Sequence, residues 1–299
     1  MFQMIKELSS VYPVEKMCQV FCVSRSGYYD WDGRGPSRRD QEDMKILEIM
    51  NKSYDACQGM CGLDKIWADV REKHPKCSRK RAYRLQSEHG LYSVRKKPFK
   101  IATTDSNHKL PVAENLLNRE FNVVKPNAVW VADITQFDTL EGPLYLATMK
   151  DIFQKEIVGW SLAGHMRTEL CTKALENAVM KHRPPRELMH HSDRGSQYCS
   201  KDYQEALKSY GMICSMSRKG NCWDNACAET FFSTIKSERL RHKVYKTHEE
   251  ARRDIFWYIE CFYNRKRRHQ ALGNITPETF KKMYYMGLAE RAIKGLAAR

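Results

Sequence analysis

The chain has 299 residues and carries 51 lysines and arginines against 36 aspartates and glutamates, which gives a formal net charge of +15 and a pI near 9.3. A chain of this length can bury two cores, and the basic excess indicates a polyanionic partner; a basic enzyme without one is the alternative on charge alone. The longest apolar runs fall far short of a membrane span and the first ten residues lack a secretory pattern. We therefore expect a cytoplasmic protein with no membrane role and with reduced cysteines.

Residues 1–39 are expected to form an N-terminal helical segment. Two short amphipathic helices are predicted, at Pro13–Phe21 and at Arg25–Trp31, the second capped by Ser24. The stretch Gly33–Ser37 (GRGPS) then breaks the pattern. Both a helix-turn-helix fragment and a helical cap on the next domain fit this segment.

Residues 40–93 show three helical patterns, beginning at Asp40 and continuing over Leu63–Lys73 and Arg79–His89, with Gly90 as a helix end. Basic residues gather here, since residues 71–100 hold 11 lysines and arginines against 2 acids. Three helices with a basic third one predict a helix-turn-helix DNA-binding domain, and the alternative is a structural bundle with a charged solvent face. The side chains expected to contact DNA are Arg79, Lys80, Arg81 and Arg84.

Four possible zinc ligands fall in the same region, at Cys57, Cys61, His74 and Cys77. Their spacing does not fit the usual paired CxxC frameworks, so we favour plain thiols over a zinc site. Residues 94–121 are basic and then polar, and we predict a linker that follows DNA. The end of this linker, Pro111–Phe121, is a candidate short helix.

Residues 122–285 are predicted to form an α/β domain, followed by a C-terminal tail at 286–299. Its strands are expected at Val129–Ile134, Pro143–Ile152, Ile157–Ala163, Glu187–Ser192 and Met212–Met216. Its helices are expected at Thr168–His182, Ser200–Tyr210, Asn225–Arg241, Glu249–Tyr263 and Pro277–Tyr285.

Three acidic residues stand out in this domain. Asp133 interrupts an apolar strand, where a charge is costly unless it is paired or binds a metal. Asp193 follows a strand and precedes a tight turn, and Glu229 lies on a helix with Lys236 two turns further along the same face. Asp151 also lies in a core strand. We interpret it as a turn or capping acid, and it is the first alternative to Asp133 as the functional acid.

The spacing of the three acids and the sequence motifs around them resemble a known family. Asp133 and Asp193 are separated by 59 residues, and Asp193 and Glu229 by 35, as in DDE transposases and retroviral-type integrases. Four sequence motifs resemble those of the insertion-sequence-three family of bacterial transposases, in its second-frame (OrfB) product. These motifs are WVADIT, HSDRGSQY, GNCWDNACAETFFSTIKSE and YNRKRRHQALGNITP. The resemblance covers nearly the whole chain. It implies a ribonuclease-H-like mixed five-stranded sheet with flanking helices, preceded by an all-α helix-turn-helix region.

The resemblance also implies a chemistry. Asp133, Asp193 and Glu229 would be the catalytic acids, and three converging carboxylates repel one another unless divalent cations join them. Oxygen ligands favour Mg²⁺, or Mn²⁺ in its place, over zinc. Two ions about 4 Å apart can drive in-line displacement at phosphorus, with Asp133 bridging them and Lys236 contacting a nearby phosphate.

Four consecutive cations follow the helix at Glu249–Tyr263. They suggest a surface that grips a DNA strand, and the alternative is a solvated basic turn. These predicted DNA-binding residues are Arg265, Lys266, Arg267 and Arg268. For His190, His191 and His269 we prefer roles in the core or in DNA contact, because metal-dependent phosphoryl chemistry does not need them.

The leading interpretation is a Mg²⁺-dependent DNA endonuclease and strand transferase, a transposase that cleaves element ends and joins the 3′-hydroxyl to another phosphodiester. Its partners would be double-stranded DNA, as terminal inverted repeats and target, and further copies of the chain on DNA. An upstream-frame protein, separate or fused, is a further expected partner, because the sequence shows no heptad run. The alternatives are a catalytically idle DNA-binding regulator of transposition and a metal-dependent nuclease without strand transfer.

Overall fold

The computed structural model of the protein describes residues 1–94, 110–218 and 226–287. The first three helices pack on one another around their own small core, which includes Ile5, Met17 and Tyr28. Ser24 caps the third helix by accepting a hydrogen bond from the N–H of Gly27 at 3.0 Å. Their bounds are Phe2–Leu8 (α1), Val14–Val20 (α2) and Arg25–Asp32 (α3).

The next three helices form the region in which the sequence predicts a helix-turn-helix. Ser37 and Asp40 form a capping box at the start of the first helix, and Ser78 caps the third. Each places apolar side chains on one side, as the periodicity predicts. Their bounds are Arg38–Ala56 (α4), Leu63–Lys73 (α5) and Arg79–Glu88 (α6).

A five-stranded mixed sheet forms the centre of the second half of the chain. Its spatial order is β3-β2-β1-β4-β5; the first three strands are antiparallel, and β4 and β5 run parallel to β1. This arrangement confirms the predicted fold class. The strands are Val129–Thr139 (β1), Gly142–Asp151 (β2), Ile157–Ala163 (β3), Met189–Ser192 (β4) and Ile213–Met216 (β5).

Helices cover both faces of the sheet. The face of Trp130, Ala132 and Ile134 packs against Thr168–His182 (α7), Ser196–Cys199 (α8) and Lys201–Ser209 (α9). Gly159 of β3 lets α7 approach closely, because a Cβ there would lie 2.5 Å from the carbonyl oxygen of Ala174.

The opposite face, that of Val131 and Asp133, carries Ala226–Glu238 (α10) and His248–Phe256 (α11), which a π-helix at Trp257–Tyr263 continues. Pro277–Tyr285 (α12) packs through Phe280 on Phe153, in the turn after β2. Short 3₁₀ turns lie at Leu240–His242 and Gln270–Leu272.

The helix-turn-helix region shares a core with the sheet. One continuous apolar cluster contains Ile46 and Ile66 of that region together with Phe137 of β1 and Tyr258 of the π-helix. Lys65 of α5 also pairs with the buried Glu238 at 3.5 Å. The two regions are therefore packed against each other, with α10 at the junction.

Several predicted elements differ from the structure; β1, for example, continues past its predicted end at Ile134 to Thr139. The segment Pro111–Phe121 contains no helix, because its backbone pairs with β5: the N–H of Met216 donates to the carbonyl of Glu114, and the N–H of Leu116 to Ser215 Oγ. This part of the predicted linker therefore packs on the sheet. The helix predicted from Glu249 to Tyr263 changes to π-helical hydrogen bonding after Phe256.

Asp151 has the structural role proposed for it. Its buried carboxylate accepts backbone hydrogen bonds from Asn127 at 2.7 Å and from Phe153 at 2.8 Å, so it closes the turn after β2. Within the three described ranges, no helix combines the length and the apolar composition needed to cross a bilayer.

Candidate active site

Asp133 lies near the middle of β1, opposite Thr148 of β2. Its side chain is half-buried, and Oδ1 accepts a hydrogen bond from the N–H of Ile134 at 2.8 Å. The neighbouring strand residues Val131 and Thr135 are buried. The strand therefore holds a carboxylate in surroundings that disfavour its charge.

Asp193 follows the last residue of β4, in a turn that its own side chain closes. Asp193 Oδ1 accepts a hydrogen bond from the N–H of Gly195 at 2.9 Å. The Nε of Arg194 donates to the carbonyl of Ser217 at 2.7 Å, which ties this turn to the end of β5. The turn is thus fixed from both sides.

The parallel pairing of β1 and β4 brings the two aspartates together. Val131 pairs with His191, so two residues further along each strand Asp133 and Asp193 stand side by side. Both line one small cavity, whose other lining residues are Ile134, Met166, Gly195, Gln197 and Tyr198.

Glu229 approaches from the first turn of α10 and is exposed. Lys236, two turns further along the helix, is half-buried, and burial lowers its pKa while the charge of Asp133 opposes that shift. The helix face that carries both residues is therefore turned towards the site of the two aspartates.

The electrostatics of Asp133 connect all of these groups. Burial raises the pKa of Asp133 well above its ordinary value, the negative charges of Asp193 and Glu229 raise it further, and Lys236 opposes them. Carboxylates that repel one another on neighbouring strands, with oxygen donors only, fit a divalent cation. Among the residues that the structure describes, no three His, Cys, Asp or Glu side chains gather closely enough to hold one. The structure thus joins Asp133 and Asp193 and leaves Glu229 outside a closed three-residue cluster.

The predicted DNA contacts on α6 divide into two kinds. Arg79 and Lys80 are exposed, with Arg79 paired to Asp64 on the surface at 2.7 Å. Arg81 and Arg84 both pair with the largely buried Asp43 of α4. These two arginines therefore join α6 to α4, whereas Arg79 and Lys80 face solvent.

The basic run after the π-helix divides in the same way. Arg265 and Lys266 are exposed. The Arg267 guanidinium is largely buried and pairs with Glu238 at 2.9 Å, and Arg268 pairs with Glu72 at 2.6 Å as well as with Asp69. Arg267 thus ties the basic run to α10, and Arg268 ties it to α5 of the helix-turn-helix region. The surface expected to grip DNA therefore retains Arg265 and Lys266.

Sequence reasoning missed two residues beside the acids. Gln197 lines the aspartate cavity and donates from Nε2 to the carbonyl of Met166 at 2.8 Å. Lys150 of β2 is buried and reaches the first turn of α10. Lys150 could have been found, because it interrupts an apolar strand just as Asp133 does; Gln197 gives no comparable signal.

Comparison with known families matches most of the chain. A family described as "Integrase core domain" matches residues 123–222, a second one with the same description matches residues 210–277, and an "HTH-like domain" matches residues 39–99. The sheet and the paired aspartates therefore belong to an integrase-core protein with a helix-turn-helix-like region.

Named relatives identify the family more closely. The chain is 46% identical over 269 residues to the insertion element IS600 uncharacterized 31 kDa protein of Shigella sonnei, covering 90% of this chain and 98% of that protein. It is 35% identical over 279 residues to transposase InsF for insertion sequence IS3A of Escherichia coli K12, covering 93% and 96%. The chain belongs to the insertion-sequence IS3 family of transposases.

Solved structures similar to the chain include two of viral integrases. One is a simian T-cell lymphotropic virus intasome in complex with a phosphatase regulatory subunit, with 16% identity, a TM-score of 0.42 and coverage of 68% of this chain and 66% of that one. The other is the HTLV-2 integrase catalytic core domain in complex with magnesium, with 18% identity, a TM-score of 0.42 and coverage of 52% and 97%.

Family membership determines the general activity. A helix-turn-helix-like domain and an integrase core both act on DNA, so the chain binds DNA. As a DDE-type transposase, it is an enzyme of the nuclease and strand-transfer class.

Proposed function

We propose that the chain cleaves the ends of an insertion sequence and joins the freed 3′-hydroxyl to another phosphodiester, with Asp133, Asp193 and Glu229 holding two Mg²⁺ ions. Mn²⁺ would substitute, because it accepts the same oxygen ligands. The ions, when bound, would supply the charge that activates the attacking oxygen and stabilises the leaving one.

One observation carries the proposal. Asp133, in the middle of an apolar strand, has its pKa raised by burial and by the charges of Asp193 and Glu229. A carboxylate held in an apolar strand beside Asp193 carries an electrostatic cost, which bound cations would offset. Asp193 and Asp133 already share one cavity. Glu229 would complete the ligand set from α10.

The remaining side chains around the site support this chemistry without taking part in proton transfer. Buried His190 interacts through Nε2 with the Tyr203 hydroxyl at 2.9 Å, and buried His191 through Nδ1 with Ser215 Oγ at 2.9 Å. These contacts suit scaffold roles. Lys236 would contact a phosphate near the cleaved bond.

DNA binding is expected to involve surfaces on both domains. Arg79 and Lys80 of α6, and Arg265 and Lys266 after the π-helix, are the exposed cations of the predicted set. The ligands would be the terminal inverted repeats and the target duplex, bound by more than one copy of the chain, with an upstream-frame protein as a further partner. The reaction would take place in the cytoplasm, where such DNA lies.

A strand-transfer assay tests the proposal. Labelled element ends, target plasmid and Mg²⁺ are incubated with the full chain, and nicked and joined products are separated on a denaturing gel. The proposal requires both products with the native chain and neither with Asp193→Asn or Glu229→Gln, while DNA binding persists. Nicks without joining would identify a simple nuclease; binding without either product, with and without the upstream frame, would identify a regulator.

A further inference from the structure

Lys150 is a buried cation on the same face of the sheet as Asp133. In the antiparallel register of β1 and β2, Lys150 pairs with Val131 and Thr148 with Asp133. Side chains two apart on a strand share a face, so Lys150 and Asp133 lie on the face that α10 covers. Only 5% of the Lys150 surface is exposed. A lysine in such a place is rare.

The ammonium group of Lys150 is bound by the helix that carries Glu229. Its Nζ donates to the carbonyl of Cys227 at 2.8 Å and to Thr230 Oγ1 at 3.2 Å. Thr230 Oγ1 in turn donates to the same carbonyl at 2.7 Å. Both contacts lie in the first turn of α10 and flank Glu229 in the sequence.

Burying the Lys150 ammonium group at the start of α10 costs the folded state stability. Burial, and to a smaller degree the positive charge of Lys155, lower the pKa of Lys150 to about 7. A cation near a helix N-terminus also opposes the helix dipole. An apolar side chain of similar length would fill the same space without these costs. What the lysine adds is a directed link between strand β2 and the start of α10.

We propose that Lys150 is a positioning residue for the transposase reaction: by linking the first turn of α10 to β2, it sets where Glu229 stands relative to Asp133. Lys150 touches neither substrate nor the acids, and acts through the backbone of α10. The inference rests on the proposed function, because it assigns Lys150 a role through a residue proposed to hold metal.

The test compares Lys150→Met, which removes both hydrogen bonds, with Lys150→Arg, which keeps a cation and its donors. The matched control is Lys281→Met. Lys281 lies on α12 and is also partly buried, but it pairs with Glu156 at 3.1 Å and not with α10. The measurements on the full chain are the Mg²⁺ concentration for half-maximal cleavage, Mn²⁺ binding by calorimetry without DNA, and hydrogen exchange of the amides in the first turn of α10.

Lys150→Met is expected to weaken Mn²⁺ binding and raise the half-saturating Mg²⁺ concentration by about tenfold, as for other residues that orient metal ligands. Exchange in the first turn of α10 should accelerate, and DNA affinity should not change. Lys150→Arg should recover much of the loss, and Lys281→Met should match the native chain. Added to Glu229→Gln, Lys150→Met should cause no further loss of Mn²⁺ binding, because its effect passes through Glu229.

The inference is overturned if Lys150→Met changes the metal response no more than Lys281→Met does. If Lys150→Met does not fold, Thr230→Val replaces it as the test variant. Thr230→Val removes one of the two acceptors of Lys150 and should shift the metal response in the same direction by a smaller factor. A native chain that needs no divalent ion, or whose Mn²⁺ binding survives Glu229→Gln, would instead refute the proposed function. Loss in Glu229→Gln with no effect of Lys150→Met would refute the inference alone.

Discussion

Replacing Arg267 with methionine is expected to cost the protein about 3 kcal/mol of stability, because it leaves a buried carboxylate without its main partner. The Glu238 side chain is 1% exposed, and the Arg267 guanidinium approaches both of its oxygens at 2.9 Å. Removing one member of a buried ion pair typically costs about 3–5 kcal/mol. We expect the lower end, since Tyr258 still donates to Glu238 at 2.8 Å and Lys65 remains 3.5 Å away.

The pH dependence gives this prediction a second signature. Burial alone would raise the pKa of Glu238, but the hydrogen bonds and charge of Arg267 outweigh it and lower the pKa. A lowered carboxyl pKa stabilises the fold fully above the unfolded value of about 4.3 and ceases to do so as the pH falls through the folded value. The stability difference between the native chain and Arg267→Met should therefore be large at pH 7 and shrink below about pH 4.

Urea denaturation followed by circular dichroism measures the effect. Arg265→Met is the matched control: Arg265 lies two residues away and is exposed, so its loss should change the free energy of unfolding by no more than about 0.5 kcal/mol. If Arg267→Met loses less than about 1 kcal/mol of stability, or no more than the control, the Arg267–Glu238 pair does not stabilise the fold as a buried ion pair.

Three further predictions concern the site and the DNA surface. Asp193→Asn should abolish Mg²⁺-dependent cleavage of element ends in a gel assay while leaving DNA affinity intact; retained cleavage would remove Asp193 from the mechanism. Neutralising the exposed Arg79 and Lys80 should weaken DNA binding and reduce the slope of log affinity against log salt by about 2; an unchanged slope would make α6 a solvated structural helix. The pKa of Lys150 is about 10.4 in the unfolded chain and about 7 in the folded chain. The unfolded state therefore binds more protons between these pH values, so the free energy of unfolding should rise with pH across that range. Lys150→Met should remove about 3 kcal/mol of that rise in urea titrations at pH 7 and pH 10, and an identical rise in the variant would contradict the buried cation.

The predicted bounds of β3 and α7 match the structure. β3 is a short apolar run that is buried on both faces of the sheet, and the apolar residues of α7 recur at helical spacing. Pro111–Phe121 failed because tertiary pairing with β5 overrides helical propensity, and Asn118 and Arg119 adopt positive φ angles of 40° and 65°.

The candidate site was likewise predicted only in part from the sequence. The structure places Asp133 and Asp193 beside each other, on β1 and at the end of β4, as the family resemblance implies. The roles of Arg267 and Arg268 could not be read from the sequence, because their carboxylate partners Glu238, Asp69 and Glu72 come from elements far away in the chain. A run of cations has the same sequence signature whether it meets DNA or another domain.

The most direct test of the account is a structure of the chain bound to an element end in the presence of Mn²⁺, with the ions located by their anomalous scattering. We expect ions in contact with carboxylate oxygens of Asp133, Asp193 and Glu229, with Glu229 brought in by α10. Ions held without Glu229, or a site built around Asp151 in place of Asp133, would contradict it.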